Sequence, residues 1–283
     1  MNKSELRSLL KKAFKEDLGF GDLTSSAIFP ANTYSTGTFT VKDAGVVAGL
    51  AIIEESYHQL DPGVEITLFK QDGSQVKPGD VIAEVRGPTE ILLSGERVIL
   101  NLLQHMSGIA SATARAVNAL DNPEIRICDT RKTLPGLRML QKYAVRCGGG
   151  FNHRYRLDDG VMIKDNHIAA AGSIAEAVQR VREKAGLMVR IEVETETKEQ
   201  VLEAVEAGAD IIMLDNQSPE KARELAALVP DHIVTELSGG ITEQTIGAYK
   251  NTNVDYISLG YITHSVIALD ISFNLNQSTK QDH

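Results

Sequence analysis

The sequence predicts an α/β protein: an incomplete, open six-stranded β/α barrel preceded by a smaller α+β sandwich domain. Three observations predict it. From residue 124 on, short apolar runs alternate with helical stretches; before residue 86, strand-like runs cluster around two helices; between them lies one long helical pattern. The apolar runs cover residues 125–128, 161–163, 189–193, 211–214, 233–237 and 256–259. Unbroken β-rich runs separated by helices imply parallel strands covered on both faces. Six of them fall short of the eight of a full barrel. An open doubly wound sheet is the structural rival, weakened because no GxGxxG or Walker pattern follows any run.

In chain order, residues 4–17 read as an amphipathic helix that ends in the turn residues GFGD. Residues 36–41 and 45–48 are strand-like, 51–60 a helix, and 64–69 and 81–85 strands, with QDGSQVKPGD supplying turns. Strands gathered in this way read as a small α+β domain. Residues 89–120 form the long helix. Ile91, Leu92, Val98, Leu102, Met106 and Ile109 make its apolar stripe, and Glu90, Ser94, Arg97, Asn101 and His105 a polar one. Further helices are expected at 136–146, 173–185, 198–207, 219–228 and 243–250, and the alternating LDISFNLN is expected to return to the first domain as a strand. The expected domains are therefore 1–112 with the connecting helix, 113–267 for the barrel, and a C-terminal strand segment 268–283.

The 283 residues are 42% hydrophobic and 24% charged, which suits a protein with a buried core rather than a disordered one. No apolar run reaches the ~20 residues that span a bilayer. The start, MNKSELRSLLKKAFKEDLG, carries charges throughout and lacks a small-residue cleavage site, unlike a secretory signal. Two cysteines, Cys128 and Cys147, are too few for a disulfide framework and lack zinc-ligand spacing, so a reduced, cytoplasmic setting is expected. The net charge of −9 argues against nucleic acid or an anionic membrane as partner. That charge is uneven. Residues 126–167 hold nine Lys or Arg against four Asp, a local +5 that leaves −14 elsewhere. A charge run is usually a solvated helix face; here the positions of the charges favour a compact polyanion instead.

In β/α barrels, functional groups collect just past the C-terminal ends of the strands. Every expected tip carries reactive residue types. Asp129, Thr130, Arg131 and Lys132 follow the first run; His153 and Arg154 precede the second, and Lys164, Asp165, Asn166 and His167 follow it. Glu192 and Glu194 end the third, Asp215 and Asn216 the fourth, Ser238, Gly239 and Gly240 the fifth; Gly260 and then His264 follow the sixth. Singly, each has an ordinary explanation: Asp215-Asn216 as a helix cap, the glycine pair as a tight turn, Lys164 as a surface lysine. Six agreeing tips outweigh that reading. Arg131, Lys132, His153, Arg154 and Lys164 make a cationic side suited to carboxylates. Glu194 and Asp215 offer hard oxygens to Mg²⁺, which keeps its waters and shares a substrate's phosphates. Glycine-rich tips at helix starts offer backbone N–H groups to a phosphate. The combination points to a phosphoribosyl donor and a carboxylate-rich acceptor.

The residues also resemble a known family. DTRKTLPGLRMLQKYAVRCGGGFNHRYRLDDGVMIKDNHI (129–168) is similar to the signature of the quinolinate phosphoribosyltransferases, also called carboxylating nicotinate-nucleotide pyrophosphorylases. The likeness continues through EDLGFGDLTS (16–25), GERVILNLLQHMSGIASAT (95–113), IEVETET (191–197), GADIIMLDN (208–216), SGGI (238–241) and DYISLGYITHSVIALDIS (255–272), covering nearly the whole chain. One departure is Asn253, where the family commonly has glycine; asparagine tolerates the left-handed backbone angles involved.

The resemblance implies transfer of phosphoribosyl from 5-phosphoribosyl-1-pyrophosphate to quinolinate, with loss of CO₂, in the de novo synthesis of NAD. It implies that Arg131, His153, Arg154 and Lys164 hold quinolinate, joined by Arg97 from a partner subunit of a homodimer or a dimer-based hexamer. Lys132, Glu194 and Asp215 would serve catalysis, the two acids holding Mg²⁺ through water. Lys132, Ser238, Gly239, Gly240, Gly260 and His264 would hold the phosphoribosyl donor. Sequence alone favours a solvated Arg97 and a structural His105. Three other readings remain: a phosphoribosyltransferase with another acceptor, a barrel sugar-phosphate lyase with Lys164 as Schiff-base nucleophile, and an anion-binding sensor, against which the acid pair argues.

Overall fold

A computed structural model describes residues 1–276; of the expected C-terminal segment, residues 277–283 lie outside the described residues. The elements begin with α1 (Lys3–Leu18), α2 (Leu23–Ile28), β1 (Tyr34–Val41), β2 (Gly45–Val46), α3 (Ala51–Leu60), β3 (Glu65–Leu68), β4 (Gln75–Val76), β5 (Val81–Pro88) and α4 (Thr89–Leu120). There follow β6 (Arg126–Cys128), α5 (Arg138–Cys147), β7 (Val161–Ile163), α6 (Asp165–Ala171), α7 (Ile174–Arg182), β8 (Ile191–Thr195) and α8 (Lys198–Glu206). The last are β9 (Ile211–Asp215), α9 (Pro219–Ala226), β10 (Val234–Ser238), β11 (Tyr256–Ser258), α10 (Tyr261–His264) and β12 (Ile271–Asn276). The chain forms two compact units: residues 1–112 with 135–149 and the segment from Ser265 on, and residues 113–134 with 150–264.

The first unit is built on an antiparallel sheet in the order β12-β1-β5-β3. Phe39 of β1 pairs with Phe273 of β12, their rings 4.8 Å apart. Helix α1 starts where Asn2 Oδ1 accepts the N–H groups of Ser4 and Glu5, and it buries Leu6, Leu10 and Phe14 at four-residue steps. Helix α5, which the strand–helix alternation placed with the barrel, sits in this unit. Its contacts explain why: Gln141 Nε2 lies 2.7 Å from His105 Nε2, and Tyr143 donates a 2.6 Å bond to Asp72. His105 is held below its usual range by burial, a structural setting.

The second unit is an all-parallel six-stranded sheet in the order β6-β11-β10-β9-β8-β7. Consecutive strands from β7 to β11 are neighbours, so the winding never reverses. A doubly wound sheet reverses at a switch point; steady progression is the barrel's order. The barrel stays open because β6 and β7 lie at opposite edges of the ladder. At the β6 edge, Phe151, which precedes β7, forms an isolated bridge to Cys128. Strands β8, β9 and β10 are buried along most of their length, as runs covered on both faces must be.

Local chemistry sets the helix starts. Ser173, Thr197 and Ser218 each accept an N–H of the first turn, and Pro219 follows Ser218 at the first helical position. Two stretches differ from expectation. Residues 165–171 form α6 rather than a loop, with Gly172 ending it at φ +105°. The helix expected at 243–250 is one turn of 3₁₀ helix, Ile246–Tyr249. A Cβ on Gly247 would stand 3.1 Å from the Ala119 carbonyl, so this turn packs closely against the last turn of α4. Asn253 has φ +58°, the left-handed angle anticipated for a family glycine.

Candidate active site

A cavity of about 410 Å³ gathers the strand tips of the second unit. The loop after β6 supplies Thr130, Arg131 and Lys132, and the segment after Phe151 supplies His153 and Arg154. Met162 and Lys164 come from β7 and its end, Glu194 from β8, Met213 and Asp215 from β9, Glu236 and Ser238 from β10, and Ser258 from β11. The spacing by two is the strand period: alternate side chains share the inward face.

The cationic side is tightly held. Asp129, fully buried, accepts the backbone N–H of His153 at 2.9 Å and the Asn152 amide at 2.6 Å. Arg154 donates from its guanidinium to the Gly160 carbonyl at 2.7 Å. Burial and the charge of Arg131 both pull Arg154 below the usual guanidinium range. Two like charges pressed together in a cavity wall favour an anion between them.

On the opposite side, Lys164 forms an ion pair with Glu194. Burial pushes Asp215 above the usual carboxylate range, and the charge of Glu194 pushes it further. Among the described residues, no third histidine, cysteine or acid joins these two at ligand distance. Two acids without a protein cage fit Mg²⁺, which retains several waters and binds through one or two carboxylates together with substrate phosphates.

Lys132, Gly260 and His264 lie together. A Cβ on Gly260 would stand 3.0 Å from Lys132 Cδ and 3.2 Å from the His264 ring, so a larger residue there would make both side chains give by a few tenths of an ångström. Gly239 and Gly240 follow Ser238 with φ of +96° and +64°, turning the chain at the tip of β10. Of the residues expected at the site, Arg131, Lys132, His153, Arg154, Lys164, Glu194, Asp215 and Ser238 line the cavity. Gly260 and His264 adjoin its Lys132, and Gly239 and Gly240 continue from its Ser238. Arg97 lies on α4, its side chain 60% exposed and 3.7 Å from Glu96, outside the cavity lining. The helix starts anticipated beside the two glycine-rich tips are short: a 3₁₀ turn after Gly240 and the four residues of α10 after Gly260.

Sequence reasoning left out Glu236 altogether and gave Glu192 no role. Both are buried, with His153 Nε2 3.1 Å from Glu192 Oε2 and 3.4 Å from Glu236 Oε2. Their signal was present: each lies two residues before a site residue, Glu194 or Ser238, inside an otherwise apolar run. Burial pulls His153 down, but hydrogen bonds to Glu192 and Glu236 outweigh it and push the histidine up to about 10. Burial above all pushes Glu192 up, the His153 hydrogen bond opposing and the Glu236 charge adding to it. His153 and Glu192 are thus both shifted toward holding a proton at neutral pH. Because Nδ1 accepts the backbone N–H of Arg154 at 2.8 Å, that proton lies on the Nε2 side, among the ring and the acids.

Comparison with known proteins shows the family and the fold. The profile of the quinolinate phosphoribosyl transferase C-terminal domain matches residues 109–274, and that of the N-terminal domain residues 22–107. A probable nicotinate-nucleotide pyrophosphorylase (carboxylating) of Bacillus subtilis is 55% identical over 280 residues, covering 99% of this chain and 96% of the relative. A mitochondrial quinolinate phosphoribosyltransferase (decarboxylating) of Nicotiana tabacum is 38% identical, over 96% of this chain and 82% of its own length. The crystal structure of NadC from Streptococcus pyogenes superposes with a TM-score of 0.95 at 41% identity, covering 98% of both chains. By sequence over almost its whole length and by fold, the chain belongs to the quinolinate phosphoribosyl transferase family.

Proposed function

We propose that the chain joins quinolinate to 5-phosphoribosyl-1-pyrophosphate, giving nicotinate mononucleotide, pyrophosphate and CO₂, as a decarboxylating pentosyltransferase. The observation that carries this is the single cavity lined by Arg131 and Arg154 together with Glu194 and Asp215. Adjacent carboxylates on one ring suit two adjacent guanidiniums, and Lys164 and His153 border the same space. A monocarboxylate acceptor would leave part of this cluster unpaired. Lys164 is engaged with Glu194 rather than set in an apolar pocket, which disfavours a Schiff-base lyase.

Charge at the ribose end is handled by the chain's own residues. Lys132 lies where it can neutralise the departing pyrophosphate, with Gly260 and His264 beside it. Ser238, Gly239 and Gly240 offer a hydroxyl and a turned backbone to the 5-phosphate. Glu194 and Asp215 would hold Mg²⁺ through water, and the ion would bind and neutralise the diphosphate. The same acids face the positive charge that grows on ribose C1 as pyrophosphate leaves. The ring nitrogen of quinolinate then attacks C1, and the positive nitrogen formed stabilises the electron pair left on the neighbouring ring carbon when CO₂ departs. No covalent enzyme intermediate is required; the protein positions and neutralises.

We place Arg97 in the acceptor site of a partner subunit, so that the smallest active unit is a homodimer, alone or within a hexamer, working in the cytoplasm. Among the described residues no helix is long and apolar enough to cross a membrane. The deciding assay incubates the protein with Mg²⁺, 5-phosphoribosyl-1-pyrophosphate and either quinolinate or nicotinate, and measures pyrophosphate and CO₂. Equal amounts of both from quinolinate alone are expected. Turnover of nicotinate but not quinolinate overturns the reading.

A further inference from the structure

A second cavity, of about 320 Å³, lies at the other ends of the strands, where Val161, Ile211, Val234 and Tyr256 begin β7, β9, β10 and β11. It is roomy enough for several waters. His153, Arg154 and Glu236 line both cavities and so form the wall between them. An arginine does not give up its proton at neutral pH, and His153 Nδ1 is occupied by the Arg154 N–H. Glu236 is different. A carboxyl group can take a proton on one oxygen and release it from the other. Its Oε2 faces His153 Nε2, while its Oε1 is buried with no hydrogen-bond partner among the described residues. Glu192 meets the same nitrogen but borders only the lower cavity.

The proposed reaction needs one proton. Quinolinate loses the carboxylate on ring C2, and the product carries hydrogen there. We propose that Glu236 delivers that proton to C2 and is reloaded from solvent in the lower cavity. As the bond from C2 to the carboxylate carbon breaks, its electron pair stays on C2 and CO₂ leaves. The Glu236 O–H bond then breaks, its proton joins that pair as the new C–H bond, and Glu236 is left as a carboxylate. A solvent proton restores the acid. Among the described residues, His153 and Glu192 are the titratable groups beside it.

The three ligand atoms of His153, Glu192 and Glu236 also lie within 4.8 Å of one another, as in a metal site. The tautomer argues against an ion: with Nδ1 accepting, Nε2 carries the hydrogen and has no lone pair to offer.

The inference rests on the decarboxylating transfer proposed above, and its test is isotopic. Wild type and Glu236→Gln turn over Mg²⁺, 5-phosphoribosyl-1-pyrophosphate and quinolinate in an equal mixture of H₂O and D₂O, and the hydrogen-to-deuterium ratio at C2 of the product is measured. Glu236→Gln should lower kcat about 10²–10⁴-fold, the usual weight of a general acid. It should leave the quinolinate KM within about three-fold, because the lost interaction belongs to the transition state. Its ratio should move to that of the same decarboxylation without protein, a change that a merely structural role would not produce. Glu236→Asp keeps a carboxyl group and should keep the wild-type ratio at lower kcat. An unshifted ratio in Glu236→Gln, or an unchanged kcat, overturns the proposal. Should that variant fail to fold, a protein-free ratio in both wild type and Glu236→Asp overturns it. Wild type that releases no CO₂ refutes the decarboxylating reading itself, whereas normal wild-type turnover with an unshifted variant refutes only the proton route.

Discussion

Thr263 Oγ1 donates a 2.8 Å hydrogen bond to the backbone carbonyl of Lys132. The bond joins the loop after β6 to the short helix after β11. Thr263 is buried and lies 3.1 Å from the Gly260 carbonyl as well, so one hydroxyl locates both the lysine and the glycine tip. Replacing it by the isosteric Thr263→Val should cost about 1–2 kcal/mol of stability in urea unfolding. It should also raise the KM for 5-phosphoribosyl-1-pyrophosphate more than that for quinolinate. A larger effect on quinolinate would mean that this loop serves the acceptor instead.

Arg154 and Asp215 should fail in different ways. Arg154→Ala removes a charge-assisted contact to the acceptor and should raise the quinolinate KM about 10–100-fold, the weight of a bond to a charged group. Asp215→Asn should lower kcat with little change in either KM. The same change should raise the thermal midpoint at neutral pH. Asp215 is held above the usual carboxylate range, so its ionised form opposes folding, and increasingly so as pH rises through the folded value. The gain should shrink when the unfolding is repeated at acid pH, where Asp215 is protonated.

Glu55 gives the opposite sign. The Arg7 hydrogen bond, working against burial and with Lys3 beside it, holds this carboxyl below its usual range. A lowered acid stabilises the fold fully above its unfolded value of about 4.3 and loses that contribution as pH falls through the folded value. Lys3 and Arg7 are about two-thirds exposed, so water screens the pair. Glu55→Gln should therefore cost only about 1 kcal/mol at pH 7. Unfolding curves of the two proteins should converge below about pH 4, the carboxylate range.

Mixing is the direct check on Arg97. Arg97→Ala and Arg131→Ala proteins should each be nearly inactive alone. After subunit exchange, a mixture should recover up to about a quarter of wild-type activity, since random pairing leaves one intact site in half of the dimers. Exchange without recovery would place Arg97 outside the active site.

The sequence by itself determined the strongly periodic elements and which chemical groups stand at the strand tips. Residues 51–60 and 89–120 show their helical period plainly, and the β7 run at 161–163 its apolar character, and each forms where it reads. Arg131, Arg154, Lys164, Glu194 and Asp215 are legible because strand tips are marked by a change from apolar to charged residues within two positions. That is local information, carried by spacing and side-chain type.

Only the tertiary structure decided what depends on residues far apart in the chain. A strand's period puts Glu192 with Glu194 and Glu236 with Ser238 on one face, but the curl of the sheet decides that this face is the inside and that both buried acids meet His153. The same long-range pairing leaves β6 and β7 on opposite edges and draws α5 into the first unit through His105 and Asp72. Backbone preferences act over a few residues, whereas burial is set by whatever the fold brings near, and no local signal encodes it.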